Sequence, residues 1–175
     1  MSERALLPGE FAILGVLALR PMHGYEMLNF FESESLIDVC PVEHSTLYTY
    51  LRNLETRDLV GWKEERVGLR PPRKIFELDP AGWELLQAWL REPVERMREI
   101  RLEFLLKLFF LERTDQPALE RLVDGQLQVC ETYLTGLNRR EAGTEFSRLV
   151  DDSKRSAAEA TLGWLNSYRL TLGNR

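Results

Sequence analysis

Between His44 and Pro80 the spacing of apolar residues passes from that of a helix to that of strands and back, which constrains the fold more than any other feature. Leu47, Tyr50, Leu51 and Leu54 stand at i, i+3, i+4 and i+7 and form one stripe along a helix from His44 to about Arg57. Leu59 to Arg66 then reads as a strand, with Val60 and Trp62 as strand formers. Val67 to Pro72 is a Gly- and Pro-containing turn, and Arg73 to Leu78 is the return strand. Asp79-Pro80 starts a new helix, with an acid at the cap and proline in the first turn. That helix carries Leu85, Leu86, Trp89 and Leu90 and ends before Pro93.

Two helices precede this unit. Pro8 to Arg20 buries Phe11, Leu14 and Leu17/Ala18, with Ile13 and Val16 widening the face, and Arg20-Pro21 ends it. A shorter helix from near Gly24 carries Met27, Leu28 and Phe31. Residues 1–92 therefore predict helix, helix, helix, hairpin, helix, the order of a winged helix-turn-helix DNA-binding domain. The fold class expected is mainly α: three helices plus a β-hairpin wing, followed by an all-helical C-terminal domain over 93–175.

Charge supports this reading only when counted by segment. The chain as a whole carries −5, yet residues 44–74 carry +3 while residues 1–43 carry −5. The basic stretch is the third helix plus the wing. At about 100° per residue, Ser45, Tyr48, Thr49, Arg52 and Thr56 lie opposite the Leu stripe. Hydroxyls, a phenol and a guanidinium on an outward face suit nucleic acid better than bulk solvent, although a plain polar face also fits. Arg70, Arg73 and Lys74 stand at or near the tip of the hairpin.

The second half predicts a helix over Val94–Glu112, then one opened by Thr114 or Asp115 with Pro117. In the latter, Val123, Leu127, Cys130, Leu134 and Leu137 follow near-heptad spacing. After Gly143-Thr144 a last helix carries Phe146, Leu149, Val150, Ala157, Thr161, Trp164, Leu165 and Tyr168. The two long helices could pair with each other as an intramolecular core, or present their stripe to a second copy. Dimerisation through Val123, Leu127, Cys130, Leu134 and Leu137 is the expectation, because helix-turn-helix readers pair to read two half-sites.

Composition restricts the alternatives. Hydrophobic residues make up 44% and charged residues 29%, as in a globular chain. The stretch Leu102–Leu111 is too short and too charged to span a bilayer, and the N-terminus has no apolar run suited to secretion. A cytoplasmic protein with no membrane association is expected. Two cysteines and two histidines offer neither a disulfide framework nor a metal cluster. No phosphate loop, nucleophile elbow or paired His/Glu motif occurs. No catalytic residues, metal or cofactor are expected, and an enzyme is the least favoured class.

Several segments together carry a family resemblance: Phe11-Ala-Ile-Leu-Gly-Val-Leu17, Pro21-Met-His-Gly-Tyr-Glu26, Ser45-Thr-Leu-Tyr48 with Leu51 and Leu54-Glu55, and Pro72-Arg-Lys with Phe76, Leu78 and Ala81-Gly82. In order and spacing they resemble the PadR family of transcriptional regulators across residues 6–90. Glu103-Phe-Leu-Leu-Lys-Leu-Phe-Phe110 and the helix after it are similar to the virulence-activator-type C-terminal domain of the longer subfamily. The resemblance implies a homodimeric regulator of double-stranded DNA, often a repressor released by a small molecule. It implies DNA contacts from Tyr25, Ser45, Thr46, Tyr48, Thr49 and Arg52, and from Arg70, Arg73 and Lys74 on the wing. Tyr25 has core packing as its other reading, and His44 is a helix cap or a DNA contact. Leu7 stands where the family often has a capping Ser or Thr, so the first helix is expected to be held by packing. Trp83, Trp89, Met97 and Phe104 could line a site for a small planar effector, or be core. Cys40 and Cys130 read as inert fillers. A winged-helix protein-interaction adaptor and a ligand-sequestering protein remain the alternatives, and the salt dependence of DNA binding separates them.

Overall fold

The computed structural model describes residues 5–66, 72–140 and 143–173. The elements are α1 (Pro8–Leu19), α2 (Gly24–Ser33), α3 (His44–Thr56), β1 (Val60–Glu65), β2 (Arg73–Leu78), α4 (Pro80–Arg91), α5 (Leu105–Thr114), α6 (Gln116–Asn138) and α7 (Glu145–Leu172). They gather into two compact units, one of residues up to Leu90 together with Arg101–Thr114, the other of Arg91–Ile100 with Asp115 onwards.

The first unit is a winged helix-turn-helix. α1 is its central helix, with Ala12, Ile13, Leu14, Val16 and Leu17 all buried. α2 adds Met27 and Phe31, and α3 adds the expected stripe Leu47, Leu51 and Leu54. Each fully buried aliphatic side chain contributes roughly 1.5–3 kcal/mol relative to exposure. α3 ends without glycine. Asp58 takes the left-handed conformation at φ 53°, Asp58 N–H donates to Glu55 O at 3.0 Å and Leu59 N–H to Leu54 O at 3.0 Å. Aspartate tolerates this region better than most side chains, and the reversal delivers the chain directly into β1.

β1 and β2 pair antiparallel in the register Val60↔Leu78 to Glu65↔Arg73. A further rung joins them from afar: Met22 N–H donates to Phe76 O at 3.2 Å and Phe76 N–H to Met22 O at 3.0 Å. One residue is too short to leave a periodic signal in the sequence. Arg70, expected at the wing tip, lies outside the described residues.

The starts of α1 and α3 differ from expectation, and α2 starts at Gly24 as expected, on a cap that its sequence does not single out. Leu7 is 39% exposed, and the start of α1 is held by the Glu10 carboxylate, whose Oε2 accepts the Leu7 N–H at 2.7 Å, rather than by packing. His23 caps α2, its Nδ1 accepting the Glu26 N–H at 3.1 Å. His44 is not a cap: Glu43 holds that position in α3, and the His44 ring instead lies 4.8 Å from that of Tyr48.

The expected helix over Val94–Glu112 is interrupted. Val94–Arg96 is non-helical, a short 3-10 turn follows at Met97–Glu99, and a π-helical turn at Ile100–Phe104 leads into α5. The buried Gln126 amide explains the first break, since it accepts the Val94 N–H at 2.8 Å and donates to the Val94 carbonyl at 3.0 Å. Both backbone groups are thus satisfied outside a helix. Residues 101–114 also cross the boundary expected at 92/93 and pack within the winged unit. Phe110 fills the space that a Cβ at Gly15 would need, Phe109 meets Phe30 edge-on at 6.3 Å, and Arg113 pairs with Glu34 at 2.8 Å.

In the second unit α6 and α7 form an antiparallel hairpin. Asp115 caps α6 and Thr144 caps α7. Arg155 reaches Asn138 at 3.1 Å, Arg140 reaches Asp151 at 3.0 Å near the turn, and Arg169 reaches Asp124 at 2.6 Å further along. Among the described residues, no helix is long and apolar enough to cross a membrane.

Candidate nucleic-acid interface

The exposed face of α3 carries Ser45, Tyr48, Thr49 and Arg52, with Thr46 half-buried beside them. The first bond of the helix ladder runs from Leu47 N–H to Glu43 O at 2.9 Å. The N–H groups of Ser45 and Thr46 therefore stand outside the ladder, at the positive end of the helix. Thr49 is weaker than expected as a donor, because its hydroxyl donates to Ser45 O at 2.9 Å and offers only lone pairs outward.

A pocket of about 400 Å³ brings three elements together; His23, Gly24, Tyr25, Tyr48, Arg73, Lys74 and Phe76 line it. Of the expected site residues, Tyr25, Tyr48, Arg73 and Lys74 meet here. Ser45, Thr46, Thr49 and Arg52 share the helix with Tyr48 but do not line this pocket. Tyr25 is 64% exposed, so it is a surface group and not core. The close approach of α3 to α2 requires Gly24: a Cβ there would stand 2.6 Å from the Tyr48 hydroxyl oxygen.

The cations of the wing are not equivalent. Lys63 pairs with Glu77 at 2.6 Å, and Arg66 with Glu64 at 2.8 Å. Lys74 has only a 3.9 Å approach to Glu55, and its ammonium sits 3.8 Å from the Trp62 ring centroid. No ion pair to Arg52 or Arg73 occurs among the described residues. Among these residues, Arg52 and Arg73 thus carry no ion pair and Lys74 only a long one, while the register sets Glu65 opposite Arg73 and Glu64 opposite Lys74. Trp62, a strand former by its sequence, is 44% exposed; its place under Lys74 is set by the strand register, which puts Lys74 diagonally across from it.

The residues expected to line an effector site are dispersed. Phe104 is fully buried, and Trp83 is exposed. Half-buried Trp89 stacks on Phe11 with centroids 4.4 Å apart, and its Nε1 lies 3.4 Å from Glu103 Oε2. Met97 belongs to the second unit, where its sulfur lies 4.0 Å from that of Cys130. Both cysteines are buried. Burial raises the pKa of each thiol; for Cys130 the Gln126 hydrogen bond opposes that and Glu131 adds to it. Among the described residues no group of three His, Cys, Asp or Glu side chains could hold a metal ion.

The stripe expected at a dimer interface is largely used within the chain. Val123, Cys130 and Leu137 are buried in the second unit, and Leu127 and Leu134 are half-buried. Heptad spacing cannot tell α7 from a second copy as the partner. The apolar groups left outside are on α7: Phe146, Leu149, Trp164 and Leu170.

Residues 13–88, from the second turn of α1 into α4, match the model of the Transcriptional regulator PadR-like family. A similar protein is the Negative transcriptional regulator PadR of Bacillus subtilis (strain 168), 26% identical over 128 residues, which span 73% of this chain and 70% of that one. Among solved structures, the chain is similar to Bacillus subtilis PadR in complex with operator DNA, with a TM-score of 0.48 and 21% identity over 93% of this chain and 98% of that one. It is also similar to the same protein in complex with p-coumaric acid, with a TM-score of 0.45 and 21% identity over 95% and 99% of the two chains. Residues 13–88 of the winged helix-turn-helix unit are thus a PadR-like domain.

Proposed function

We propose that this protein is a homodimeric transcriptional repressor that binds an inverted-repeat operator through α3 and the wing. The observation that carries the reading is the meeting of Tyr25, Tyr48, Arg73 and Lys74 around one open pocket on the winged unit. Two phenols and two cations on adjoining elements provide hydrogen bonds and charge for a phosphodiester backbone. Ser45, Thr46 and Arg52, further along the same helix face, address base edges or the next phosphate. The name of the Bacillus subtilis relative, a negative regulator, favours repression as the sign of control.

Two copies supply two recognition helices for two half-sites. The exposed apolar side chains of α7 support a second copy as the partner, in place of the α6 stripe. Release by a small planar molecule is the proposed control, with Trp83 and Trp89 as the aromatic groups that keep exposed surface. The C-terminal helices are proposed to belong to the virulence-activator type, and the protein to act in the cytoplasm without catalysis.

Enrichment from a pool of random-sequence duplexes tests the proposal. The full-length protein should select a sequence with two-fold symmetry, and Arg52→Ala should lose that selection. Failure of the wild-type protein to enrich any sequence contradicts it.

A further inference from the structure

We infer that Glu10, acting through Asn53, is a positioning residue that sets the rotation of the recognition helix; the inference rests on the proposed DNA reading. Glu10 is fully buried. One carboxylate oxygen accepts the Leu7 N–H at 2.7 Å, and the other accepts Asn53 Nδ2 of α3 at 3.1 Å. A carboxylate only accepts, so the Asn53 amide must turn its NH2 inward. The neighbouring Gly9 lets the same turn of α1 close on α3, because a Cβ there would stand 2.6 Å from the Tyr50 ring. Tyr50 and Asn53 are one turn apart, so α1 meets a single face of α3.

The place of Asn53 on the helix makes this contact informative. At about 100° per residue, Asn53 falls at one border between the buried Leu47–Leu51–Leu54 stripe and the exposed face. Tyr48 falls at the other border, against Gly24 of α2. α3 is thus held along both seams. Leucine packing is non-directional and tolerates small rotations, whereas a hydrogen bond to a carboxylate weakens steeply off its preferred angle. A rotation of about 20° moves the outer surface of a helix, roughly 5–6 Å from its axis, by about 2 Å. That is enough to break a base contact. Burying a carboxylate to hold a helix is unfavourable compared with apolar packing, which points to orientation as its role.

The test uses the duplex that the wild-type protein enriches from a random pool, and a scrambled duplex of equal composition. Glu10→Ala, Asn53→Ala and the double variant are each titrated on both at several salt concentrations. Each single variant should lower the preference for the enriched duplex by about tenfold, leaving scrambled-duplex affinity and salt slope unchanged. The double variant should lose no more than the worse single variant. If Glu10→Ala does not fold, half-buried Asn53→Ala decides alone. Wild-type preference in the folded variants overturns the inference, as does an equal loss on both duplexes with lowered thermal stability. Absence of any enrichment by the wild-type protein overturns the DNA reading and this inference with it, whereas enrichment with indifferent variants overturns the inference alone.

Discussion

Tyr48 of the recognition helix closes on Gly24 of α2, where a Cβ would stand 2.6 Å from the phenol oxygen. Gly24→Ala should therefore push Tyr48 out of the pocket it shares with Arg73 and Lys74. The phenol is the far end of an exposed side chain and can swing away, so stability should change by no more than about 0.5 kcal/mol. Urea unfolding should show little change, and DNA titration should show weakened binding on every sequence. Unchanged DNA binding would mean that the approach of Tyr48 to α2 is not needed.

The three classes of cation should separate by salt and sequence dependence. Arg52→Ala should cost roughly 1–3 kcal/mol on the selected duplex and little on scrambled DNA. Arg73→Ala should weaken both about equally and reduce the salt slope by about one unit. Lys63→Ala should change neither by more than about twofold, because Lys63 already pairs with Glu77 at 2.6 Å. Titrations from low to physiological salt measure all three.

Gln126 satisfies both backbone groups of buried Val94. Gln126→Ala should leave them orphaned, at about 1–3 kcal/mol for each group. A fall in the urea midpoint would show this, with helix content at zero denaturant little changed.

Self-association should depend on α7 more than on the α6 stripe. Leu149→Glu or Trp164→Glu, both at exposed sites, should shift a dimer to monomer in sedimentation equilibrium without loss of stability. Val123→Ala, at a buried site, should lower stability by about 1–3 kcal/mol first. Dimers untouched by either α7 change would place the interface elsewhere.

The residues that were legible in sequence are those whose role follows from local period. Leu47, Leu51 and Leu54 announce their stripe, and Val60 with Phe76 announce the hairpin. The start of α6 at Thr114 or Asp115 is legible because capping acts within one turn, and Gly143-Thr144 marks the break before α7. Glu10 and Asn53 are 43 residues apart, and Val94 and Gln126 are 32 apart, so nothing local marks either pair. Helix α5 looked like part of the second half because apolar spacing reports that a helix is buried, not which unit buries it. The same ambiguity placed Val123, Cys130 and Leu137 at a dimer interface. Tyr25, Tyr48, Arg73 and Lys74 were each nameable as surface groups, while their meeting in one pocket depends on the Met22–Phe76 rung that docks the wing.

The central claim is that α3 and the wing read DNA, and its most direct measurement is affinity for the enriched duplex against its scrambled counterpart between about 50 and 200 mM salt. If Arg73 and Lys74 of two copies each neutralise a phosphate, the plot of log affinity against log salt should fall with a slope of roughly −3 to −4 or steeper. Preference for the enriched duplex should be on the order of a thousandfold or more. A flat salt response together with equal affinity for the two duplexes would contradict the account.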